Sequence, residues 1–236
     1  MKTIRPTFQY LLHGFAFMSI IAFISILMNV AITNLIYHLT ARYQGNNAAA
    51  ELTVPVEVTA GVFALVIGMI LFLINFKVAL ANGVSRKSFL LANLPAAALL
   101  AAALALFNII VLAVHRLFWP AVMPTQLTFP AINLPGLLAL QTALYLLLVF
   151  AGWFISLAYY RSTNAGRWAI SLAPVALYAL FRVLNAQMGG GLGLALREYW
   201  LVTMRSTPLA AVLTLLAYAA ALYGLVYLLL RRAPVR

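Results

Sequence analysis

Long apolar runs separated by short polar breaks pattern this chain from end to end. A helix needs about 20 apolar residues to cross a bilayer. Runs of that length cover residues 15–37, 59–80, 89–112, 134–159, 168–185 and 209–230. The pattern predicts an all-α polytopic membrane protein, a single transmembrane domain over residues 1–236 with six transmembrane helices. Pro130, Pro135 and Pro174 are expected to blur or kink the fourth and fifth spans, because proline removes a helix hydrogen bond and crowds the preceding turn.

The breaks differ in character. Residues 1–14 are basic and partly apolar, which predicts a helix lying along the interface. Residues 38–58 hold Gly45, Asn46, Asn47, Glu51 and Glu57. Residues 161–167 read as a tight basic turn, and Gly189, Gly190, Gly191 and Gly193 open an irregular stretch before 194–204. Between the second and third runs, Asn82 and Gly83 interrupt the apolar pattern. Ser85 is then placed to cap a new helix, since its hydroxyl can accept from a backbone N–H of the next turn.

Composition excludes a soluble domain. Charged residues make up 8% of the chain and hydrophobic ones 66%, against about 25% charged in soluble proteins. Fifteen basic residues face three acids, Glu51, Glu57 and Glu198, with a pI near 10.5. The basic residues stand at the ends of apolar runs rather than on one face, which argues against nucleic acid as a partner. The first run is longer than the 7–15 apolar residues of a cleavable leader, so it is expected to be retained. There is no cysteine, hence no disulfide or thiolate site.

Charge also predicts orientation. The N-terminal segment, the joint between spans two and three, the 161–167 turn and the C-terminal tail hold ten of the fifteen basic residues. Short loops rich in Lys and Arg stay in the cytoplasm, so both termini are expected there.

Several chemistries lack their residues. The chain has no Walker loop, no H-E-x-x-H and no G-x-S-x-G. His13, His38 and His115 are far apart without acidic neighbours, and read as interfacial residues rather than metal ligands. No Asp or Glu falls in any predicted span, which disfavours a carrier driven by protons or sodium. Asn29, Asn34, Asn75, Asn108 and Gln141 remain as polar side chains inside spans, open to helix–helix hydrogen bonding or to lining a pathway. Arg182 follows Trp168 by about 21 Å of helix rise. It either snorkels to the outer headgroups or faces a cavity. The alanine-rich start of the third span, residues 95–105, would let another helix approach closely.

The seven residues Gly83-Val-Ser-Arg-Lys-Ser-Phe89, set between the second and third of six spans, resemble the integral-membrane subunits of ABC-2-type transporters. The resemblance implies the type V, ABCG-like exporter fold, with a short cytoplasmic coupling helix between spans two and three. It implies that Gly83, Val84, Ser85, Arg86, Lys87 and Phe89 touch a separate cytosolic ATP-binding subunit, which would bind the ATP and Mg, leaving no cofactor in this chain. A second permease subunit, a homo- or heterodimer partner, is implied as well. The family layout further implies an amphipathic N-terminal helix and a re-entrant or interfacial outer segment, here residues 186–208. Small permeases of this kind resemble exporters of amphipathic peptides, such as phenol-soluble modulins, in the bacterial cytoplasmic membrane. Other expectations are an exporter of lipids or drugs, or a membrane enzyme or accessory protein without transport.

Overall fold

The computed structural model describes residues 56–118, 133–191 and 208–231, with further helical positions at 20, 24, 28, 32, 193–195 and 198. Five long helices organise these residues: α1 (Val56–Ala81), α2 (Arg86–Phe118), α3 (Leu134–Arg161), α4 (Asn164–Gln187) and α5 (Pro208–Arg231). All five are long and apolar enough to cross a membrane. Together they make this a multi-pass membrane protein. The predicted first span and the predicted 1–14 interfacial helix lie outside the described residues, apart from Ile20, Ile24, Met28 and Ile32, which are helical and exposed.

Helix α3 is the centre of the bundle and touches each of the other four, most extensively α1 and α5. Its own buried residues include Leu140, Tyr145, Val149, Trp153 and Leu157. Lipid tails are as apolar as leucine, so helices in a membrane associate through close packing rather than through water expulsion. The packing here is backbone to backbone. A Cβ on Gly68 would fall 2.5 Å from the Val149 carbonyl oxygen, and one on Gly152 would collide with the Leu65 carbonyl and lie 2.8 Å from the Met69 nitrogen. Ala60 and Ala64 continue the Gly68 row at four-residue spacing, and Phe72 and Phe76 extend it toward the other end, all buried. Beside the crossing, the Ser156 hydroxyl donates to the Met69 carbonyl.

Cross-helix contacts fix the directions. Gly61 meets Leu148, Met69 meets Ser156 and Phe76 meets Tyr160, so α1 and α3 run parallel. Phe150 meets Tyr223 and Arg161 meets Leu229, so α5 runs with them. The Tyr223 hydroxyl donates to the Leu90 carbonyl at 3.4 Å while Arg86 reaches Leu230, so α2 runs against α5. The ends of α1, α3 and α5 and the starts of α2 and α4 therefore gather at one end of the bundle.

Several expectations change. No separate short coupling helix stands between α1 and α2, because residues 86–89 are already the first turn of α2. The basic turn is also shorter than expected. Helix α3 runs through Arg161, only Ser162 and Thr163 intervene, and Arg167 lies inside α4. The Thr163 hydroxyl accepts from the Gly166 N–H at 3.4 Å, which starts α4 at once. Pro135 blurs nothing, since it occupies the first turn of α3 where an N–H partner is absent anyway. The Asn133 side chain caps that turn, accepting from the Gly136 N–H at 3.0 Å. Pro174 sits inside an unbroken α4. Pro130 lies outside the described residues.

The alanine-rich stretch of α2 packs within the molecule. Ala96, Ala97, Ala101 and Ala105 are fully buried in the core, while Leu99 and Leu106 on the other side are half exposed. Helix α4 is the opposite case, without a single buried residue among its 24.

Candidate functional site

The joint between α1 and α2 is built by local rules. Gly83 has φ +72°, a left-handed conformation that L side chains avoid. Its N–H bonds the Leu80 carbonyl at 3.0 Å, and the next N–H, of Val84, reaches the Ala79 carbonyl at 2.9 Å. That pair is the Schellman arrangement, which satisfies carbonyls left over at a helix end. Ser85 caps α2 as its position predicts, its hydroxyl accepting from the Ser88 N–H at 3.1 Å. Two helix ends are thus finished within four residues.

Of the six residues expected to meet a partner, Gly83, Ser85 and Lys87 are exposed and Val84 and Arg86 are half-buried. Phe89 is corrected: it is fully buried, its ring 5.5 Å from those of both Phe72 and Phe76. A ring enclosed between α1 and α2 has no face to offer a docking subunit.

Arg86 has an internal task that short-range sequence patterns do not reveal. One Nη1 donates to the Arg231 carbonyl at 3.0 Å and lies 3.4 Å from that of Leu230. Arg161, at the end of α3, donates from Nη1 to the Leu229 carbonyl at 3.0 Å. Two guanidiniums from different helices therefore cover the unpaired carbonyls at the C-terminus of α5, where the helix dipole also favours positive charge. Nearby cations rest on aromatic rings. Lys77 Nζ lies 5.8 Å from the centre of the Tyr160 ring, and the Arg167 guanidinium 5.5 Å from that of Tyr159.

The expected pathway residues do not gather at one depth. Asn75, Asn108 and Gln141 are buried, at 4%, 1% and 3% exposure. At 1.5 Å per residue, Asn75 lies about 9 Å from the basic end of its helix, but Asn108 and Gln141 lie about 33 and 30 Å from theirs. Asn93 and Trp153 join the nearer tier, at about 10 and 12 Å. Asn93 was visible as a polar residue in an apolar run, and its Nδ2 donates to the Phe89 carbonyl at 3.0 Å. Both side-chain polar atoms of Asn108, Oε1 of Gln141, Nδ2 of Asn75 and Nε1 of Trp153 are buried without a hydrogen-bond partner among the described residues. Such groups are costly in an apolar interior. Asn29 and Asn34 lie outside the described residues.

Arg182 is exposed on α4, the peripheral helix, and packs into no described cavity. Of the outer segment 186–208, the start is described. Gly189 and Gly190 have φ +59° and +85°, and the Asn185 side chain accepts from the Gly193 N–H at 2.8 Å, turning the chain sharply after α4.

No protein-family model, no curated protein and no solved structure matches this chain.

Proposed function

We propose that this chain is the membrane-spanning permease subunit of an ATP-driven ABC exporter of the ABC-2 type. On this reading it works in the bacterial cytoplasmic membrane as one of two permease subunits, moving amphipathic or hydrophobic peptides outward. A cytosolic subunit binds and hydrolyses ATP, and the joint at residues 83–87 receives its movement.

The observation that supports this reading most is the build of the joint. It is largely exposed and only four residues long between two helices, Arg86 and Lys87 follow it in the first turn of α2, and Ser85 and Gly83 finish both helix ends within it. Arg86 ties the same joint to the last turn of α5. A push there would move α1, α2 and α5 together, as transmission through rigid elements requires. The absence of any acid from the predicted spans supports an external energy source. A membrane enzyme would need polar groups converging at one depth, whereas the buried amides stand in two tiers.

The test is affinity purification of the full chain from its native membrane. The expected result is co-purification of an ATPase whose hydrolysis is stimulated by amphipathic peptides, and its loss on Lys87→Glu. Recovery of the chain without any ATPase, or with one indifferent to Lys87→Glu, would count against the proposal.

A further inference from the structure

We propose that the basic end of the bundle is a headgroup site for an anionic phospholipid, centred on Arg86, Arg161 and Arg231. The proposal does not depend on the transport reading.

Arg86 donates to the Arg231 carbonyl and Arg161 to that of Leu229, so both guanidiniums lie over the last turn of α5, which also carries Arg231. Lys77, Lys87 and Arg167 stand within about 6 Å of helix rise of the same end.

A helix C-terminus supplies about half a negative charge. Arg86, Arg161 and Arg231 alone carry three positive ones, so about two and a half remain. Among the described residues, no Asp or Glu position lies at this end of the bundle. The three acids of the chain are Glu51, Glu57 and Glu198. Glu57 lies near the start of α1, about 36 Å of rise from its basic end, and charges are screened over about 8 Å in physiological salt. Glu198 follows the far end of α4, and Glu51 lies outside the described residues.

Donor capacity is left over. A guanidinium has five N–H donors, and the carbonyl bonds of Arg86 and Arg161 use Nη1 alone. Paired guanidiniums with spare donors suit a phosphate, which Arg binds bidentately.

The surroundings select a lipid over a soluble anion or an acidic protein. Leu225 and Leu228, within two turns of Arg231, are 45% and 58% exposed, and Tyr227 between them is 41% exposed. Tyr159, under Arg167, is 42% exposed. Tyrosines at this position mark the headgroup layer, and the leucines continue as a wall for an acyl chain. Only an amphiphile with an anionic head fits both parts at once.

The test uses the full chain in nanodiscs, with binding read by native mass spectrometry and stability by tryptophan fluorescence on heating. Phosphatidylglycerol should bind and raise the unfolding midpoint, relative to phosphatidylcholine of the same chain length. Each neutralised cation should weaken phosphatidylglycerol binding about fivefold. Arg86→Gln and Arg161→Gln are the direct variants. Lys87→Gln and Arg167→Gln, which donate to no α5 carbonyl, give the same reading if the first pair misfolds. Arg182→Gln, outside the cluster, should retain full binding. Equal stabilisation by both lipids, or unchanged phosphatidylglycerol binding in the variants, overturns the proposal. Glycerol phosphate matching phosphatidylglycerol would assign the site to a soluble phosphate instead. Lys87→Gln and Arg167→Gln that release a cytosolic protein but keep lipid binding would assign the cluster to that protein.

Discussion

Arg86 and Arg231, 145 residues apart in the chain, meet guanidinium to backbone carbonyl at 3.0 Å. The bond closes the bundle at its basic end and joins the first turn of α2 to the last turn of α5. Hydrogen bonds to charged groups contribute about 1.5–3 kcal/mol, and partial exposure puts this one at the low end. Arg86→Leu should therefore destabilise the chain by about 1.5 kcal/mol, read by denaturant unfolding in micelles. A variant as stable as the parent would mean that the α5 carbonyls find water at no cost.

The crossing of α1 and α3 makes a sharper claim. A Cβ at residue 152 would press into the α1 backbone at Leu65, Gly68 and Met69, so Gly152→Ala has no flexible neighbour to displace. Overpacking of this kind costs about 1–3 kcal/mol. Gly224 lies in α5 with nothing within 4 Å of an added Cβ. Gly224→Ala should be neutral or stabilising by up to about 1 kcal/mol, through helix propensity alone. Equal effects of the two substitutions, measured side by side, would refute the close contact.

The joint can be taken apart one residue at a time. Ser85→Ala removes the α2 cap and should cost about 1 kcal/mol, with Ser85→Asp restoring it. Gly83→Ala places a side chain at φ +72° and should cost about 1–2 kcal/mol despite open space around it. Thermal unfolding of the set would show whether conformation or contact governs the turn.

Phe89 and Lys87 separate packing from docking. Phe89→Ala empties a site enclosed by Phe72 and Phe76 and should destabilise by about 3–5 kcal/mol. Lys87→Glu changes an exposed side chain and should leave stability within about 0.5 kcal/mol. Under the proposed function, only the second should weaken ATPase recovery from a correctly folded protein. The opposite pattern would remove the joint from the docking surface.

Hydropathy made the helices legible because burial in lipid demands a minimum apolar length. The runs at 59–80, 134–159 and 209–230 lie within α1, α3 and α5 and miss only a few terminal residues. The run at 89–112 underestimates α2, since Arg86–Ser88 and His115–Arg116 are polar yet helical, and hydropathy reports apolar length rather than helix length. Ser85 was legible as a cap because capping is local. The partners across helices were not. Ala96 and Ala97 advertise close approach as clearly as Gly68 and Gly152, and nothing in the linear pattern says that the glycines mark the backbone crossing. The bond from Arg86 to Arg231 is equally invisible, because a basic residue in a turn looks the same whether it faces water or a carbonyl. The different depths of Asn75, Asn108 and Gln141 were not legible, because a run of apolar positions carries no record of depth relative to its neighbours.

Helix α4 has no fully buried residue, follows α3 after a two-residue link and ends in a glycine turn. Among the described residues, few contacts therefore hold its seat. Solubilising agent becomes a structural variable for this molecule: a micelle, a nanodisc and a native bilayer should each set the tilt of that one rod differently while leaving the α1–α3 crossing where it is.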